Sequence, residues 1–82
     1  MSYDKVKQAS KTIIGTKQAV KAMHAGQVTE VFVALDADSW VTDPAILLAK
    51  EIGIPIFYVK SKRELGKACG IHVGAAVVAI TA

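Results

Sequence analysis

The stretch Ile13-Ile14-Gly15-Thr16-Lys17-Gln18-Ala19-Val20-Lys21 carries the most pointed chemistry in the chain. Two β-branched residues run into a glycine, and a helical pattern opens behind it. The first backbone N–H groups of such a helix point outward without partners, and a helix start of this kind favours anions. Lys17 and Lys21 stand four apart on one helix face, with Gln18 three before Lys21. Lysines at that spacing repel by ~0.2–0.5 kcal/mol, and the helix dipole disfavours cations in a first turn. The arrangement therefore works against the helix unless an anion lies over it. The same side chains suit base edges, since Lys donates to guanine O6 and N7 and Gln pairs with adenine N6 and N7. Taken alone, an ordinary solvated helix start accounts for these residues as well.

A second segment, Leu65-Gly66-Lys67-Ala68-Cys69-Gly70-Ile71-His72-Val73-Gly74, ends in two glycines that bracket three residues. That pattern predicts a tight loop between helix and strand. Ile71 and Val73 alternate with His72, so either the apolar pair or the histidine faces out. Exposed apolar side chains at a loop tip would seat an unstacked base. The plainer reading, preferred for this segment by itself, puts Ile71 and Val73 on the core edge of the following strand.

Other chemistry-bearing residues have simpler explanations. Asp36, Asp38 and Asp43 could hold Mg²⁺ through oxygen ligands, but turn chemistry and helix capping account for all three. His24 and His72 lie on separate segments and, with one cysteine in the chain, make no zinc site. Cys69 reads as a small buried hydrophobe with no base beside it in sequence. Trp40, in an acidic stretch, is expected to pack against the domain or a protein partner rather than on a base. Lys60, Lys62, Arg63 and Lys67 form a solvated face that would add phosphate contacts beside the second loop. No cofactor and no catalytic group is expected.

The elements that must position these residues alternate along the chain. A helix is expected over 3–10, where Tyr3, Val6 and Ala9 share a face, followed by a short strand over 12–14. Residues 16–25 read as a helix closed by Gly26, and 28–35 as a strand that becomes uniformly apolar toward its end. Residues 36–44 read as a loop, with Asp43 as N-cap and Pro44 at the first position of a helix ending at Gly53. A strand over 54–59, a helix over 61–69 opened by serine, and an apolar last strand over 75–81 complete the series. Alternating strands and helices call for a largely parallel or mixed sheet covered on both faces.

Composition bounds the rest. Eighty-two residues, 52% hydrophobic and 21% charged, make one domain, burying roughly 60% of the surface its unfolded chain exposes. A lone cysteine favours a reducing compartment, and the first residues lack the apolar core of a signal peptide. A cytoplasmic monomer is the expectation. The longest apolar run, 73–82, falls short of the roughly 20 residues that span a bilayer. The net charge of +3 divides into +4 over residues 1–25, −4 over 26–59 and +3 over 60–82. If the fold joins the two basic ends, one pole is positive and the other negative, as in a polyanion binder. Alternating blocks that only keep a small domain soluble would look the same.

Together, Gly15-Thr-Lys-Gln-x-x-Lys21 and Leu65-Gly-Lys-Ala-Cys-Gly-Ile-x-Val73 resemble the kink-turn-binding ribosomal-protein family often called L-seven-Ae / L-thirty-e. The likeness runs from the first helix to the last strand. It implies that the helix start at Gly15, Lys17, Gln18 and Lys21 enters a widened major groove beside tandem sheared G·A pairs. Gly15 would let the backbone approach, while Lys17, Gln18 and Lys21 touch guanine edges and phosphates. The loop of Gly70, Ile71, His72 and Val73 would cover a base turned out at the kink. Lys17 and Gln18 stand where archaeal members carry Asn and Glu, closer to the L-thirty-e style. His72 stands where many relatives carry an acidic residue, a change that would raise affinity or make it pH-sensitive.

The expected fold is a three-layer α/β/α sandwich with a four-stranded mixed sheet. The expected function is binding of kink-turn RNA, ribosomal or in a messenger leader, through Gly15, Thr16, Lys17, Gln18, Lys21, Lys67, Gly70, Ile71, His72 and Val73. Two rivals remain. One is a phosphate-ligand domain built on Gly15, although the full dinucleotide or phosphate-loop signature is missing. The other is a protein-interaction module working through Trp40.

Overall fold

In the computed structural model, residue 6 and residues 11–81 are described. The helix expected over 3–10 lies outside the described residues except for Val6, which is helical and buried. The chain then runs β1 (Thr12–Ile14), α1 (Thr16–His24), β2 (Val28–Ala34), α2 (Ser39–Ile52), β3 (Ile56–Val59), α3 (Lys62–Ala68) and β4 (Val77–Thr81). The strands form one sheet in the order β1-β4-β2-β3. β2 and β3 are parallel, while β4 is antiparallel to both β1 and β2, so the sheet is mixed as expected.

The two inner strands are apolar and buried over Val31–Ala34 and Val77–Ile80, where both of their faces are covered. Alternate residues serve opposite faces. Val31, Val33, Val77 and Ala79 pack against Ala19 and Met23 of α1 and Ala45 and Ala49 of α2. Phe32, Ala34, Val78 and Ile80 pack against Leu65 of α3 and Val6. The three layers are those of the expected α/β/α sandwich.

The start of α2 departs from the expectation. The helix opens at Ser39, with Asp38 as its N-cap in extended backbone, and Pro44 lies inside it. Asp43 caps nothing there, and the expected loop over 36–44 shortens to 35–38. Proline in a helix interior loses one N–H bond and crowds the carbonyl four residues back, here that of Trp40. The fourteen-residue helix absorbs this because Thr42, Ala45 and Ala49 are buried along it, and tertiary packing outweighs local preference. Thr42, only 4% exposed, satisfies its hydroxyl by donating to the Ser39 carbonyl at 3.3 Å.

The strand directions gather one set of ends at a single pole. The Gly15 N–H donates to the Val77 carbonyl (2.8 Å), that of Ala34 to Ala76 (2.9 Å) and that of Leu35 to Val59 (2.7 Å). The start of α1, the 35–38 turn, Lys60-Ser61 and the approach to β4 therefore share this edge of the sheet. The acidic middle is consequently not a separate negative pole. Asp36 and Asp38 follow β2 onto the same edge as Gly15, whereas Glu30 lies early in β2 and Glu51 late in α2, toward the far end. Charge blocks along a chain predict poles only when strand direction keeps each block together.

Candidate nucleic-acid interface

α1 begins at Gly15, whose φ of 103° and ψ of 146° lie where side-chain-bearing residues rarely go. An added Cβ would meet nothing within 4 Å, so the backbone conformation, not space, demands glycine. Ala19 N–H donates to the Gly15 carbonyl at 2.9 Å and closes the first turn. The N–H groups of Thr16, Lys17 and Gln18 thus have no partner within the helix. Among the described residues no side-chain hydrogen bond caps this end, and no acidic residue lies in its first turn. The Thr16 hydroxyl oxygen is buried without a hydrogen-bond partner. Lys17, Gln18 and Lys21 are all exposed. A positive dipole end with added cations and no carboxylate is a site for an anion.

The second element is built against α3. Ser61 caps that helix, its Oγ accepting the Glu64 N–H at 3.2 Å. The helix closes where Gly70 (φ 79°) donates to the Lys67 carbonyl at 2.9 Å and Ile71 to that of Gly66 at 3.1 Å. The chain then doubles back along α3, until Ala75 N–H donates to the Lys62 carbonyl at 2.9 Å. This return explains Gly66: a Cβ there would strike the Val73 carbonyl oxygen.

Residues 71–73 split between the two readings left open by their sequence. Ile71 is partly buried against the α3-side core, as the plainer reading required. His72 is exposed and Val73 is 70% exposed, because β4 begins only at Val77 rather than at the expected Ala75. Arg63, Lys67, Ile71, His72 and Val73 line a recess of about 140 Å³. It sets the apolar Ile71 and Val73 beside the cations Arg63 and Lys67, a combination suited to a flat, partly apolar group attached to a phosphate chain.

The two elements meet through one segment. Ala75 is bonded to the start of α3 and Val77 to Gly15, so residues 75–77 tie the loop to the α1 tip. Gly15, Thr16, Lys17 and Gln18 stand at that tip, and Lys21 stands one turn along the same helix. Lys67, Gly70, Ile71, His72 and Val73 lie on the neighbouring element.

Several features of this pole escaped the sequence. Leu35, expected inside β2, is 61% exposed at its end, and Trp40 is 77% exposed rather than packed against the domain. No local signal marks Leu35, whereas the acidic, turn-rich context of Trp40 hinted at exposure. Asp36 accepts the Lys62 N–H at 2.8 Å and is thereby a helix cap. Burial pushes the Cys69 thiol up from its ordinary value, and a hydrogen bond with the Thr12 side chain opposes the shift. A thiol held protonated is a poor nucleophile and metal ligand. Among the described residues, no three His, Cys, Asp or Glu side chains group to hold a metal, and no helix is long and apolar enough to cross a membrane.

Comparison with known proteins agrees with this architecture. The model of the Ribosomal protein L7Ae/L30e/S12e/Gadd45 family matches residues 2–82. An RNA-binding protein of Bacillus pumilus is 58% identical over 80 residues, 98% of each chain. RNA-binding protein YbxF of Geobacillus stearothermophilus is 51% identical over 80 residues, again 98% of each. Among solved structures, the Giardia lamblia 15.5kD RNA binding protein matches with a TM-score of 0.88 at 29% identity, over 98% of this chain and 70% of that one. A family match across nearly every residue, on this sheet order and with relatives similar along their whole length, makes the chain a member of the Ribosomal protein L7Ae/L30e/S12e/Gadd45 family.

Proposed function

We propose that this protein binds RNA at the pole described, without catalysis, and that its target is a kink-turn with sheared G·A pairs. The observation that carries the reading is the uncapped, acid-free start of α1 held beside the recess of the 70–74 loop. The names of its relatives as RNA-binding proteins support it. Gly15 and the free N–H groups after it admit a phosphate or base edge closely. Lys17, Gln18 and Lys21 address guanine edges and phosphates. His72 and Val73 cover an unstacked base, and Lys67 neutralises the adjoining backbone. The protein offers these contacts to the bent RNA and fewer to the straight one, so binding shifts the RNA toward the kinked conformer. We place it in the cytoplasm as a monomer, on ribosomal RNA or a messenger leader.

The test is a gel-shift titration against a kink-turn duplex and the same duplex with its G·A pairs replaced. A preference of about tenfold or more for the intact motif is expected. Equal binding to both removes the kink-turn assignment, and binding to neither removes RNA. The exposure of Trp40 favours one second reading, a protein partner docking beside the RNA site. In that case Trp40→Ala abolishes partner binding and leaves the RNA titration unchanged.

A further inference from the structure

A second surface leaves the α1 tip along the outer flank of that helix. Ile13, Gln18, Lys21, Ala22, Ala25 and Gln27 line a groove of about 360 Å³ between α1 and the edge strand β1. At Ile13 and Gln27 it opens into a wider depression of about 780 Å³ that reaches Lys11 and Thr12. The groove starts at two residues of the proposed RNA site, Gln18 and Lys21, and follows a helix of nine residues. At ~1.5 Å per residue the strip runs on the order of 14 Å, long enough to face several phosphates of one strand.

Its chemistry selects the occupant. Among the described residues, neither lining contains a side-chain carboxylate, and each contributes a lysine. Among the described residues, none of the large exposed apolar side chains, such as Trp40 and Leu47, lies in it. A protein partner would want apolar anchors at the centre of its seat, whereas a sugar–phosphate backbone wants donors and positive charge. From this we infer that the groove carries the backbone of the RNA stem next to the α1 tip, with Lys11 and Gln27 as contacts that bind without reading sequence. The inference rests on the RNA reading above and adds a length dependence to it.

The experiment titrates the full chain, Lys11→Glu and Gln27→Glu against three kink-turn duplexes: a minimal one, and two with one stem or the other lengthened by a helical turn. The wild type should bind one of the lengthened duplexes about tenfold more tightly than the minimal one. Lys11→Glu and Gln27→Glu should erase most of that gain, and Lys11→Glu should lower the salt dependence of binding to that duplex by about one unit of slope. A wild type that gains nothing from either extension overturns the inference while leaving kink-turn recognition standing. So does a gain that survives both substitutions in proteins whose circular dichroism matches the wild type. Failure of the wild type to bind even the minimal duplex overturns both.

Discussion

A carboxylate oxygen of Asp36 accepts the backbone N–H of Lys62 at 2.8 Å, tying the turn after β2 to the first turn of α3. Ser61 Oγ takes the Glu64 N–H, so side chains satisfy two of the donors that the helix start leaves open. The Lys62 carbonyl in turn holds the Ala75 N–H, where the 70–74 loop returns to β4. One acidic side chain thus anchors the element on which half of the proposed site is built. Asp36→Ala should cost about 1 kcal/mol, the usual loss for a helix cap, and lower the Tm by about 4–8 °C. Asp36→Asn, which keeps an acceptor oxygen, should lose less. Thermal unfolding followed by circular dichroism measures both, and an Ala variant melting with the wild type would show that the bond contributes nothing.

Gly66 is the place where helix propensity and packing disagree. In a free helix, Gly→Ala stabilises by about 1 kcal/mol. Here the new methyl meets the Val73 carbonyl, a backbone atom that cannot rotate away. Gly66→Ala should therefore destabilise by about 1–3 kcal/mol and weaken RNA binding by displacing His72 and Val73. Urea unfolding gives the first number. A stabilised variant would mean that the loop does not lie against α3.

Lys21 and Lys50 are both exposed helix lysines, but Lys21 flanks the α1 tip and Lys50 closes the last turn of α2 toward the other end. Lys21→Ala should cost about 1–3 kcal/mol of RNA binding, while Lys50→Ala should cost little. Gel-shift titration at one salt concentration compares them. Equal losses would point to diffuse attraction without a defined interface.

The raised pKa of Cys69 has a readable consequence. Burial favours the neutral thiol, so the folded chain holds a proton that the unfolded chain releases first as pH rises. That contribution to stability is present at neutral pH and is lost as pH climbs through the folded-state value. Alkylation by iodoacetamide should accordingly be slow at neutral pH and accelerate only at alkaline pH. Thr12→Val, which removes the opposing hydrogen bond, should slow it further. A neutral-pH labelling rate like that of a free thiol would contradict the burial.

Trp40 is the chain's one tryptophan, and its exposure makes it a reporter. Its emission should be that of a water-exposed indole, and Trp40→Ala should change stability by no more than about 0.5 kcal/mol. A blue-shifted emission in the free protein would place the ring in contact with the domain.

Much of this architecture is legible in residue order, because the signals involved act over one or two helical turns. Hydrophobic period distinguished the strands from the helices, Gly15 marked the strand-to-helix turn, and Ser61 marked the start of α3. The two motifs together were enough to expect the family. The failures are equally physical. Asp43-Pro44 is a sound local helix start, yet burial of Thr42, Ala45 and Ala49 over fourteen residues drew the helix back to Ser39. Ile71 and Val73 look equivalent in a row of alternating residues, but the return of the chain along α3 buries one and exposes the other.

By itself, then, the sequence determined the element types, the mixed sheet and the chemical character of the two segments that make up the site. Only the tertiary structure decided what stands next to what. Strand order and direction bring Gly15, Asp36, Lys62 and Val77 to one edge. That outcome depends on long-range pairings, which local propensity and charge spacing do not encode.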